Sequence, residues 1–119
     1  MSESKTYTGG CHCGKVRYEI STRLGGVAAC NCSICSLRGW LLTFVAPEQF
    51  KLLKGEGELT DYQFGKKNVH HLFCKTCGTA SFSHGKKPNG DGVYSINVRC
   101  LDGVDINELP VKHYDGKHL

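Results

Sequence analysis

Proline is scarce in this chain, with 3 in 119 residues, and long apolar runs are absent. The longest such run, residues 40–46, is broken by Thr43 and falls far short of the roughly 20 residues that span a bilayer. A membrane-spanning helix is therefore excluded. The first residues lack the apolar centre of a secretory leader, so a reducing cytoplasm is the expected setting. No segment holds a long 3.6-residue period, which argues against long amphipathic helices. Repeats, linkers and low-complexity tracts are missing too, and one domain over residues 1–119 is expected. What the chain has instead is glycine, 15 in all, which suggests short strands joined by tight turns. A domain of that kind and size often needs a metallic or covalent staple.

The 8 cysteines can supply it. In a reducing compartment, clustered cysteines read as metal or redox sites rather than as disulfides. Cys11 and Cys13 form a C-x-C pair, and Cys74 and Cys77 form a C-x-x-C pair. Cys30, Cys32 and Cys35 form a C-x-C-x-x-C triplet, and Cys100 stands alone. Sulfurs spaced in this way converge on one zinc ion at about 2.3 Å, with backbone N–H groups aimed at the thiolates. Gly14 and Gly78 follow the two pairs at the place where such a turn needs a left-handed residue. Ser36 follows the triplet, which marks it as a different kind of site.

The asymmetry predicts two zinc ions. Cys11, Cys13, Cys74 and Cys77 make a closed, structural four-thiolate site. Cys30, Cys32 and Cys35 make a three-thiolate site with a position left for water or substrate, the usual form of a catalytic zinc. The competing reading has Cys100 or a histidine closing the second site. Cys100 is expected to pack as a small hydrophobe, sharing one face of a strand with Tyr94, Ile96 and Val98.

Period-two alternation predicts a strand over residues 15–21, with Val16, Tyr18 and Ile20 inward. The run 39–46 reads as a strand covered on both faces. Further strands are expected over 50–54, 58–64 (anchored by Leu59 and Tyr62), 69–73, 79–84 and 92–100. Residues 65–68 read as a hairpin loop, and Pro47 as the start of one helical turn. His12 is expected to point away from the metal of its own knuckle, and His70 and His71 to lie on opposite strand faces. His84, His113 and His118 carry no signal. Trp40 packs near the second zinc or walls a pocket there.

Residues 10–18 (GCHCGKVRY), the triplet CNCSIC at 30–35 and FCKTCG at 73–78 resemble the glutathione-dependent formaldehyde-activating enzyme family. Pro47, Phe50, Gly55, Glu56 and Tyr62 also fall in that family's order, and the resemblance runs from about residue 9 to residue 103. It implies a mainly β fold, a β-tent of short antiparallel sheets clasped by a structural zinc, with little helix. It also implies that the zinc on Cys30, Cys32 and Cys35 is catalytic. The family's activity joins glutathione to formaldehyde as S-(hydroxymethyl)glutathione, a carbon–sulfur lyase reaction when read in reverse. The shared motifs cover metal ligands and not a tripeptide site, so glutathione contacts do not transfer. Arg38, three residues beyond Cys35, and Arg99 are the candidates for binding a substrate carboxylate.

Charge bears on partners. Seven thiolates subtract seven charges and two Zn²⁺ restore four, which takes the formal +4 to +1. A nucleic-acid partner is therefore disfavoured, and Lys66, Lys67, Lys86 and Lys87 read as solvated loop charges. The expected partner is a small thiol such as glutathione. Two other function classes compete: a zinc-stabilised protein or nucleic-acid binding module with both sites closed, and a thiol carrier or redox protein working by exchange at the triplet.

Overall fold

The computed structural model describes residues 4–65, 67, 69–87 and 89–115, and within them the chain is mainly β. Ten strands run as β1 (Lys5–Gly10), β2 (Arg17–Thr22), β3 (Val27–Cys30), β4 (Leu42–Val45), β5 (Phe50–Lys54), β6 (Leu59–Tyr62), β7 (Val69–Cys74), β8 (Phe82–Lys86), β9 (Gly92–Asn97) and β10 (Val111–Tyr114). One short helix, α1 (Ser33–Arg38), follows β3. The strands form two sheets. A small one has the order β1-β2-β5, and a large one has the order β10-β3-β4-β9-β8-β7-β6. Every pairing is antiparallel except β10 with β3.

The core lies between the sheets. Val16, Tyr18 and Ile20 are fully buried, as their alternation requires, and they meet Val45, Phe82 and Ile96 of the large sheet. Tyr18 stacks on Phe50 and meets Phe82 edge-on, both at 5.4 Å between ring centres, and Phe50 stacks on Tyr94 at 4.2 Å. The Tyr18 hydroxyl, buried among these rings, donates to the Ser81 carbonyl at 3.2 Å. Past β9 the chain returns to β1. There Asp102 pairs with Arg17 and accepts from the Thr8 hydroxyl at 2.8 Å.

Several expected elements are corrected. The run 39–46 is not one strand covered on both faces, because Gly39 caps α1, the strand spans only Leu42–Val45, and Phe44 is exposed. The strand expected over 92–100 ends at Asn97, whose side chain accepts from the Arg99 N–H and turns Val98–Cys100 into a 3₁₀ turn. Cys100 therefore does not continue the face of Tyr94 and Ile96. Tyr62 is exposed rather than an anchor. Strands β1, β3 and β10 were not expected at all. Of the loop expected at 65–68, Lys66 and Asn68 lie outside the described residues, as does His118.

Gly55 shows how closely β5 packs on the approach to β2 within the small sheet. It has φ +100°, and a Cβ there would stand 2.5 Å from the Lys15 carbonyl oxygen and 2.7 Å from the Val16 Cα. Both obstacles are backbone, so neither can swing aside. Gly55→Ala is expected to destabilise the fold by about 3 kcal/mol, read as a lower midpoint in denaturant. An unchanged midpoint would mean that this turn is not built as described.

Candidate metal centres

The two halves of the first cluster come from different sheets. Cys11 and Cys13 follow β1 in the small sheet, while Cys74 ends β7 in the large one. Each pair closes a tight turn. Gly14 donates its N–H to the Cys11 carbonyl at 3.3 Å, and Gly78 donates to the Cys74 carbonyl at 2.8 Å, both glycines at positive φ. The four sulfurs of Cys11, Cys13, Cys74 and Cys77 all lie within 4.8 Å of one another. Cys11 and Cys13 are 3.6 Å apart, and Cys13 and Cys74 are 3.7 Å apart across 61 residues of sequence. Sulfurs placed tetrahedrally about 2.3 Å from an ion are about 3.8 Å apart, so this donor set fits a closed metal site.

Hydrogen bonds favour thiolates here. The Val16 N–H donates to the Cys11 sulfur at 3.3 Å. The Thr79 hydroxyl, and then the backbone N–H groups of Cys13 and Thr79, hold Cys77 down at about 5. At Cys13 the Lys15 N–H pulls down, but the crowd of neighbouring sulfurs outweighs it and pushes the thiol up to about 11. A cation held among the four sulfurs would displace the protons that remain on them. His12 is exposed and contributes no donor atom to the cluster.

The second cluster is built on one short segment. Cys30 ends β3, Cys32 is the N-cap of α1, and Cys35 lies in its first turn. The Cys32 N–H donates to the Cys30 sulfur and the Cys35 N–H to the Cys32 sulfur, both at 3.5 Å. Gly39, in the left-handed region, ends the helix by donating to the Cys35 carbonyl at 2.9 Å. The three sulfurs lie within 4.8 Å of one another, and among the described residues no fourth donor joins them. Burial, and then the neighbouring Cys32, hold Cys35 well above the usual thiol range. At Cys32 burial also raises the thiol, but hydrogen bonds from the Cys35 N–H, the Cys35 and Cys30 thiols and the Ile34 N–H together outweigh it and lower it.

A cavity of about 300 Å³ opens beside this triplet, and all three of its cysteines line it. Ile34, Trp40, Leu42, Phe44 and Phe64 make its walls mostly apolar. Trp40 is buried here, outside the cluster that forms the main core, so it walls the pocket. Arg38 also lines the cavity, with its guanidinium carbon 5.2 Å from the centre of the Trp40 ring. Arg99 does not line it. Its Nε donates to the Gly39 carbonyl at 3.3 Å, which braces the end of α1. Cys100 is half-buried, with its sulfur 4.0 Å from the Ala80 carbonyl oxygen, and burial raises it to about 11. It belongs to neither cluster.

The histidines divide as their alternation suggests. His71 lines the cavity, and burial, then the charge of Arg38, holds it below its usual range. His70 faces the other way, with Nδ1 2.6 Å from an Asp61 carboxylate oxygen and its ring stacked on His84 at 4.7 Å. The cavity-lining role of Ser83 and Ser95 had no signal in the sequence, because serine in a short strand reads as solvent-facing.

The chain is thus a mainly β domain with two cysteine clusters that could each hold a metal ion, the second of them facing a cavity. Residues 6–114 match the sequence profile of the glutathione-dependent formaldehyde-activating enzymes. The chain belongs to that family. A crystal structure of a Rhodobacter sphaeroides protein is similar to it, with a TM-score of 0.75 and 32% identity over 88% of this chain and 99% of that one. Among the described residues no helix is long and apolar enough to cross a membrane.

Proposed function

We propose that this chain is a zinc-dependent carbon–sulfur lyase that makes and breaks the adduct of a small thiol, such as glutathione, with formaldehyde. The observation that carries the reading is the cavity beside the three sulfurs of Cys30, Cys32 and Cys35. Membership of a family named for glutathione and formaldehyde supplies the reactants. Zinc held by the triplet would keep an incoming thiol as its thiolate at neutral pH, where a free thiol near 8.5 is mostly protonated.

The protein's own residues then bind and orient. Arg38, fixed over Trp40, offers a guanidinium to a substrate carboxylate. The apolar walls exclude water and so strengthen each polar contact within. Arg99 acts one step away, by holding the end of the helix that carries Cys35. Cys11, Cys13, Cys74 and Cys77 hold the second, structural zinc. A reducing cytoplasm suits this reading, since all seven ligands must stay reduced. A lined cavity at the triplet counts against a binding module with both centres closed.

The test is exchange spectroscopy on glutathione and formaldehyde with the zinc-loaded chain. Adduct exchange faster than in buffer, in proportion to protein added, is expected. Exchange at the buffer rate, with glutathione still bound at the metal, would leave a thiol carrier instead.

A further inference from the structure

The large sheet has two occupied faces. Phe82 and Ile96 project into the core between the sheets, so their neighbours Ser83 and Ser95 project the other way. On that second face the register forms a row. Tyr62 lies opposite His71, His71 opposite Ser83, Ser83 opposite Ser95, and Ser95 opposite Phe44. Residues directly opposite one another share a face, and His71, Ser83, Ser95 and Phe44 all line the cavity beside the cysteine triplet. A polar strip of three residues therefore crosses an otherwise apolar wall.

Ser83 is the exceptional member. It is 1% exposed, and its hydroxyl has no hydrogen-bond partner. Asn97, another buried polar side chain, shows the normal pattern: it donates to the Ala80 carbonyl and accepts from the Arg99 N–H. An unpaired buried hydroxyl is a standing penalty that alanine would remove at no loss of packing. Its place on a cavity wall gives the missing partner somewhere to bind.

We propose that Ser83 binds the oxygen of the thiol–aldehyde adduct, donating its hydroxyl hydrogen to that atom, with His71 and Ser95 on either side. The assignment rests on the adduct chemistry proposed above. When the thiolate sulfur gives its electron pair to the carbonyl carbon, the π pair of the C=O bond moves to oxygen, which then takes a proton from water. A donor placed at that oxygen acts where negative charge develops. In the reverse direction the same contact holds the hydroxyl while the C–S bond breaks and its pair returns to sulfur.

Ser83→Ala in the zinc-loaded, full-length chain tests this. Adduct turnover should fall about 100- to 1,000-fold, with thiol affinity within about twofold of wild type and a melting temperature equal or higher. Unchanged turnover would overturn the assignment, as would thiol affinity falling in step with turnover, because the side chain would then only shape the pocket. If the wild-type chain itself gives no acceleration, the proposed reaction fails and Ser83 is judged by binding alone. The probes are then 2-mercaptoethanol and 1-propanethiol, matched in length, titrated against cobalt-substituted protein. A preference for the hydroxylated thiol that Ser83→Ala abolishes supports an oxygen site. Equal affinity of wild type for the two thiols sinks it.

Discussion

Cys74→Ser should lower the melting temperature of the protein by roughly 15 °C or more. Cys74 is almost fully buried at the end of β7, and its sulfur stands 3.7 Å from that of Cys13 in the turn after β1. The cluster therefore ties the small sheet to the large one, across a sequence separation that no local hydrogen bond spans. Structural four-thiolate zinc sites contribute about 10–16 kcal/mol of binding free energy that is also folding free energy. The whole net stability of a small domain is about 5–15 kcal/mol. Losing even a third of the metal term, about 4 kcal/mol, would lower the melting temperature by roughly 15 °C. Thermal melts followed by circular dichroism, with metal counted on the same sample, give the answer. Cys100→Ala is the control, since Cys100 lies in neither cluster and should shift the melt by only a few degrees. A Cys74→Ser protein that melts beside the wild type would remove the clasp from this account.

The partition of the cysteines was legible in the sequence because ligation is a local problem. A C-x-C or C-x-x-C turn needs its spacing and its following glycine wherever the rest of the chain goes. Both groupings of sulfurs follow those spacings. The strand of Val16, Tyr18 and Ile20 was legible for a similar reason: one face meets the core and alternation records it. Strand β1 was not, because KTYTGG is polar and buried only at its end, and pairing with β2 makes it a strand. Strand β10 is exposed throughout and exists through a parallel register with β3, more than 80 residues earlier. Helix α1 is six residues long, too short to show a period, and Gly39, which ends it, reads in the sequence as the start of the apolar run 39–46. The polar row was the least legible feature. Nothing in ASFSH distinguishes a serine facing solvent from one sealed over a cavity; only the register across four strands does so.

The two centres thus differ in what they join. The first draws residues from two sheets, with only Cys13 of its four exposed, which suits the structural role proposed for it. The second draws every sulfur from the ten-residue stretch 30–39, and that stretch presents them to a cavity whose other wall is the distant face of β7, β8 and β9. Stability should therefore depend on the first centre and reactivity on the second.

Cys32→Ser separates them. Cys32 is the N-cap of α1, and its sulfur accepts the Cys35 N–H. Serine is among the preferred N-cap residues, so the substitution preserves the start of the helix while replacing a thiolate with a poor zinc ligand. Zinc should fall from two ions per chain to about one, and the melting temperature should move by only a few degrees because the clasp is intact. Adduct turnover should drop at least about 100-fold, since even a residue that merely orients a ligand is worth 10- to 100-fold in affinity or activity. The Cys32→Ser protein should also lose its glutathione-dependent spectral change when cobalt replaces zinc. Two ions retained, or turnover within a few-fold of wild type, would show that the triplet is not the reactive centre. A collapse of the fold would show that the two centres share the structural task, against the division that their placement implies.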